Sequence, residues 1–140
     1  MKFETSTEQD IEQLQRWIDA DLYHKNLFVP TWWLTGAEGS VLAFRFDDAD
    51  GAVFYARIDK GNQFCRLYIQ FGPQQEVSKS RAAKSLLKVI PVMVEYCKKQ
   101  GSEGIIFNST SVTLIEFGKR AFGFQPVDSN DFLLRFQEGT

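Results

Sequence analysis

The chain has 140 residues, 44% of them apolar, and a formal net charge of -2. That length suits one domain with a real core, while the near-neutral balance offers neither a basic surface for nucleic acid nor an acidic tail. No apolar run reaches membrane-spanning length, and the first residues lack a signal-peptide core, so a cytoplasmic protein without a membrane partner is expected.

Lys2 to Thr5 alternates weakly and predicts a short edge strand. Ser6 or Thr7 then offers a helix cap, with Gln9 and Asp10 three residues on. Ile11, Leu14, Trp17, Ile18 and Leu22 recur at helical spacing, which predicts one buried face. The pattern blurs from 23 to 35, where Pro30 breaks any helix and the adjacent Trp32 and Trp33 need shelter from water.

Three strands are predicted next, over 39–46, 52–58 and 64–71, joined by turns at 47–51 and 60–62. Leu42, Phe44 and Phe46 share one face with Phe54, Ala56 and Ile58 and with Leu67, Ile69 and Phe71. The opposite face carries Arg45, then Tyr55 and Arg57, then Arg66, Tyr68 and Gln70. One side therefore reads as greasy and the other as amphipathic and wet.

Gly72 and Pro73 end the third strand, and a polar loop, 74–79, leads into a long helix over 83–97. Its stripe is Ala83, Leu86, Leu87, Ile90, Val94 and Cys97. Pro91 removes one helical bond, and Gly101 stops the helix. A strand follows over 104–107, so strand, helix and strand predict a parallel pair. Ser109, Thr110 or Ser111 caps a last helix over 112–122, with Leu114, Ile115 and Phe122 inward and Gly123 closing it. A hairpin over 124–127 and 131–136, turning across 128–130, completes the chain. Thirteen phenylalanines imply an aromatic core. Cys65 and Cys97 both fall in apolar periodic segments and read as reduced core thiols of a cytosolic protein.

This order of elements resembles the GNAT superfamily of N-acetyltransferases. The stretch from Thr7 through Asp10 to Ile11 resembles that family's entry into its first helix. Pro73 resembles its proline after the fourth strand, the Leu86 and Leu87 pair its central helix, and Gly123 with Phe124 its last motif. The resemblance implies a single α+β domain, 1–140, with a mostly antiparallel central sheet, one parallel strand pair and about four flanking helices. It also implies acetyl-CoA or another acyl-CoA as cosubstrate and a small amine or protein amine as acceptor.

In that family a glycine-rich loop presents backbone amides to the CoA pyrophosphate, because side chains would block close approach. The matching residues here are Ser78, Lys79, Ser80, Arg81, Ala82 and Ala83. Ala83 keeps the pattern, Arg81 stands in place of the first glycine, and Ser78 in place of the leading Arg or Gln. Lys79, Arg81 and Lys84 form either a charge clamp on an anion or a solvated helix end. By the same resemblance, the backbone of Ile69, Gln70 and Phe71 would bond the pantetheine as an added strand would.

The family's reaction is attack of a neutral amine on the thioester. A carboxylate takes the amine proton and a tyrosine protonates the departing thiolate. That tyrosine is replaced by Lys119, and the usual asparagine seven residues earlier by Val112. Tyr68, Glu76 and Glu116 remain as catalytic candidates, each set against an ordinary packing or surface role. His24, the only histidine, has no partners that suggest a metal. Arg45, Arg57 and Arg66, interleaved with Tyr55 and Tyr68, make either an anion surface or a solvated face neutralised by Asp47 and Asp59.

Two readings stand: an N-acetyltransferase-like protein that binds acyl-CoA through a degenerate loop, or a catalytically inactive binding or interaction protein on the same fold. An architectural likeness alone is a weaker third. Exposed strand edges permit a dimer.

Overall fold

The computed structural model describes residues 2–22, 24–25, 27–37, 40–109, 111–128 and 130–136. The expected strand start at Gly39, the alternative cap Thr110 and the turn residue Ser129 lie outside them. The strands are β1 (Lys2–Thr5), β2 (Ser40–Asp48), β3 (Gly51–Lys60), β4 (Cys65–Phe71), β5 (Gly104–Asn108), β6 (Gln125–Asp128) and β7 (Asp131–Arg135). The helices are α1 (Ile11–Ala20), α2 (Lys79–Lys99) and α3 (Val112–Phe122), with short 3-10 turns at Glu8–Asp10 and Pro30–Trp33. The seven strands form one mixed sheet in the order β1-β2-β3-β4-β5-β7-β6. The expected parallel pair is β4 with β5, in register at Cys65 with Ile105 and Arg66 with Ile106.

The chain divides into two compact units, Met1–Asp59 with Tyr68–Ser85, and Lys60–Leu67 with Leu86–Thr140. In the first unit β1, β2 and β3 pair antiparallel, with Phe44 opposite Ala56 and Phe46 opposite Phe54. Their greasy face gathers Phe3, Phe44, Phe46, Phe54 and Phe71 at ring separations of 5.2 to 5.7 Å. Edge and stacked contacts of this kind add to the burial of large apolar area.

The opposite face departs from its wet expectation. Tyr55 is wholly buried and Arg57 is 2% exposed. Helix α1 brings Leu14, Trp17 and Ile18 to this unit's interior, and the Trp17 ring meets Tyr55 edge-on at 5.5 Å. The Tyr55 hydroxyl donates to Asp10 Oδ1 at 2.8 Å, with the Gln13 side-chain oxygen at 2.7 Å. Asp10 also accepts from Arg45 at 2.8 Å and from the Thr7 amide at 2.9 Å. Tyr55 and Arg45 are thus partnered by α1 and its preceding turn, and the buried Arg57 by Asp59 and the Trp32 carbonyl, as burial of polar groups requires. Leu22 is a second correction: α1 stops at Ala20, so Leu22 leaves the helical register and is 91% exposed.

In the second unit α2 presents Leu86, Val89, Ile90, Met93 and Cys97 to the core. Leu87, expected in that stripe, is 51% exposed. A helix advances about 100° per residue, so Leu86 and Leu87 do not share one narrow stripe. Pro91 lies on the exposed side of a helix that continues through it. Ser111 caps α3, its Oγ accepting from Leu114 N, and Gly123 ends the helix at φ 86°, a conformation glycine adopts without Cβ strain. Phe107 packs on Phe124 at 4.9 Å and Phe132 at 5.5 Å. Cys65 and Cys97 are buried free thiols, and burial pushes the Cys97 thiol up. No helix among the described residues is long and apolar enough to cross a membrane.

Candidate functional site

The residues expected to hold a carrier, Ile69 to Phe71 and Lys79 to Ala83, all belong to the first unit. Gly72 follows the end of β4, and its amide donates to Val53 O at 3.2 Å. There is no room for a side chain at Gly72: an added Cβ would lie 2.5 Å from Val77 and 3.0 Å from Trp17. Glu76 and Val77 amides both donate to Pro73 O at 2.8 Å, which folds the loop into a turn and buries Val77. Ser78 then caps α2. Its Oγ accepts from Arg81 N at 3.2 Å and its carbonyl from Ala82 N at 3.0 Å. A serine suits that position because its oxygen satisfies an amide the helix leaves open.

The Arg81 side chain turns to β2. Nε and Nη2 donate to the two carboxylate oxygens of Asp48 at 2.9 and 2.8 Å, and Nη1 donates to Glu76 O at 2.9 Å. Asp48 holds the guanidinium still more firmly charged than usual. Arg81 therefore braces the loop against the β2–β3 turn, and its charge is already answered. Lys79, Ser80 and Lys84 are exposed beside it, and neither lysine forms an ion pair among the described residues.

The catalytic candidates sit differently. Glu76 is bonded to Arg16 of α1, which commits its carboxylate. Tyr68 is half-buried, with its ring edge-on to Trp32 at 4.7 Å and to Phe28 at 6.0 Å. Glu116 belongs to the second unit, where it is exposed and 4.0 Å from Lys119, the residue at the tyrosine position.

The three arginines are paired. Arg45 bonds Asp47 and Asp10, Arg57 bonds Asp59 and the Trp32 carbonyl, and Arg66 bonds Asp131 at 3.1 Å. The Arg57 guanidinium also lies 4.0 Å over the Trp32 ring. Asp131 is held below the usual carboxylate range by Arg66. The face is neutralised from within rather than left as an anion surface.

One polar cluster was not singled out by sequence pattern. Gln70 is wholly buried, and its Nε2 donates to Phe71 O at 2.9 Å and Asp21 Oδ2 at 3.1 Å, with Trp17 O at 3.4 Å. Its Oε1 lies 2.7 Å from His24 Nδ1, and Asp21 Oδ2 lies 3.3 Å from the same nitrogen. The rings of Phe28 and Trp33 stand 5.2 and 5.7 Å from the imidazole. The signal available was a glutamine inside an apolar strand, a position that demands hydrogen-bond partners. Among the described residues no group of His, Cys, Asp and Glu has the makings of a metal site.

No family model and no curated protein matches the sequence. Solved structures do. A Bacillus subtilis acetyltransferase in complex with CoA aligns at 14% identity and TM-score 0.65, covering 97% of this chain and 99% of its own. A GNAT family acetyltransferase from Brucella melitensis in complex with acetyl-CoA aligns at 13% identity and TM-score 0.63, covering 97% and 88%. An aminoglycoside 6'-acetyltransferase type Ii aligns at 12% identity and TM-score 0.61, covering 95% and 94%. The chain has the GNAT acyl-CoA N-acyltransferase fold.

Proposed function

We propose that the chain is an acyl-CoA-dependent N-acetyltransferase-like protein. The observation that carries this reading is the likeness of its fold, over nearly the whole length, to acetyltransferases whose structures hold CoA or acetyl-CoA. The pantetheine lies along Ile69 to Phe71, bonding to backbone as an added strand does. The phosphates meet the first turn of α2, where open amides of Lys79 and Ser80 and the side chains of Lys79 and Lys84 supply positive charge. Arg81 contributes by bracing that turn through Asp48. Ala82 and Ala83 keep the approach small. Two buried free thiols fit a reducing, cytoplasmic compartment.

The second reading, a binding protein on the same fold without catalysis, draws support from Lys119 at the tyrosine position, 4.0 Å from Glu116.

Isothermal titration is expected to show saturable binding of acetyl-CoA and CoA; no heat at millimolar ligand overturns the reading. Lys79→Glu with Lys84→Glu should weaken CoA roughly 10-fold, since charge-assisted bonds to phosphate are lost. Arg81→Ala should instead act mainly on stability, by about 1 kcal/mol, as loss of a partly exposed ion pair does. The opposite pattern would return Arg81 to the role of direct phosphate ligand.

A further inference from the structure

We propose that Cys65 and Cys97 form a reversible intrachain disulfide, closed by exchange with a small-molecule disulfide. The proposal is independent of the acyl-CoA reading and concerns two thiols that reading leaves unused.

One turn brings the pair together. Gly101 stands at φ 83°, in the left-handed region, and folds the end of α2 back on itself. The Gly101 amide donates to Lys98 O and the Ser102 amide to Cys97 O, both at 3.0 Å, the paired bonds of a Schellman turn. Ser102 is thereby fixed at the last turn of α2, and its Oγ lies 2.8 Å from Cys65 Sγ. The Glu103 amide donates to Gln63 O at 2.9 Å, and Ile105 stands in register with Cys65. The exit from the helix therefore runs alongside the first residues of β4. Ser102 thus holds the Cys97 backbone on one side and the Cys65 sulfur on the other. The Cys97 thiol in turn has Cys65 as a hydrogen-bond partner. These are the chain's only two cysteines, and they meet in the core of the second unit although they are far apart in sequence.

Both cysteines are wholly buried, and burial, then the bond to Cys65, pushes the Cys97 thiol up. Exchange in the closed chain is therefore slow, since the thiolate is the nucleophile and needs access. The pair sits at the last turn of a helix and the first residue of a strand, beside the exposed Gly101. Such ends open at lower cost than the body of an element, and opening there admits the oxidant. In the first step one cysteine thiolate attacks the small disulfide, forms a mixed disulfide and releases one small thiolate. The second cysteine sulfur then attacks the first and expels the other small thiolate. The two cysteine protons end on the two small thiols, so the pair loses two electrons and the small disulfide gains them.

The test uses the wild-type chain, with oxidised glutathione as the probe, alkylation of any remaining thiol, and intact mass read without reductant. The expected product is a monomer lighter by two hydrogen atoms that takes up no alkyl group and returns to the starting mass on reduction. With only two cysteines present, that mass identifies the pair. In a glutathione redox buffer, the equilibrium constant for closing the disulfide should be roughly 10-fold or more higher in the folded chain than in the chain unfolded by urea, because a cross-link that the fold accommodates is favoured by folding. A folded chain that stays fully alkylated, retains glutathione or links into dimers overturns the proposal. So does an equilibrium constant no higher than that of the unfolded chain.

Discussion

Asp10→Ala is expected to lower the stability of the chain by about 3 kcal/mol, read from urea denaturation midpoints. Asp10 is 5% exposed and holds three donors at once: the Thr7 amide, the Arg45 guanidinium and the Tyr55 hydroxyl. Its removal leaves the wholly buried Tyr55 hydroxyl with Gln13 alone and leaves the Thr7 amide open. Arg45 retains Asp47, which keeps the loss short of that for an isolated buried charge. A change of less than about 0.5 kcal/mol, the scale of an ordinary surface substitution, would mean that α1 is not tied to the sheet through this carboxylate.

The same cluster gives an alkaline signature. Burial, then the bond to Asp10, raises the Tyr55 phenol well above its usual range. Below the unfolded tyrosine value, about 10, both states hold the proton and the contribution is complete. Above it the unfolded chain ionises first, so stability falls as pH rises toward the folded value. Tyr55→Phe should flatten the fall in stability above about pH 10. An unchanged slope would show that this phenol does not set it.

Trp17→Ala is expected to cost about 4 kcal/mol, the range for emptying a buried aromatic site. Trp17 is 1% exposed, meets Tyr55 edge-on and lies where Gly72 has no space for a Cβ. Its loss opens a cavity beneath the turn that leads from β4 into α2, so the binding loop loosens along with the core. Leu87→Ala is the matched control, because Leu87 is half exposed despite its place in an apolar helical pattern. Equal effects from the two would contradict the packing described here.

Much of this architecture can be read from residue order alone. The strands, the long helix, a cap among residues 109–111, the Gly123 stop and the parallel pair follow from alternation, helical period and turn chemistry. The second buried face does not. Alternation marks Arg45, Tyr55, Arg57 and Gln70 as polar, and polarity is commonly read as exposure. Here Asp10, Gln13 and Asp21 partner Arg45, Tyr55 and Gln70 across 35 to 49 residues of sequence, and Tyr55 and Gln70 are wholly buried. Such partnerships cannot be recognised before the elements are placed. Arg81 shows the same limit from the other side: its charge reads as either a clamp or a solvated helix end, yet Asp48, 33 residues earlier, already holds it. Leu22 and Leu87 fail for a simpler reason, since a helical period says nothing about where the helix stops or how wide its buried stripe is.

The most direct test is amide hydrogen exchange of the full chain with and without saturating CoA. A carrier bonded along β4 with its phosphates on α2 should slow exchange at Ile69 to Phe71 and at Lys79 to Ala83 together. Binding that leaves both segments unchanged, with protection elsewhere, would contradict it.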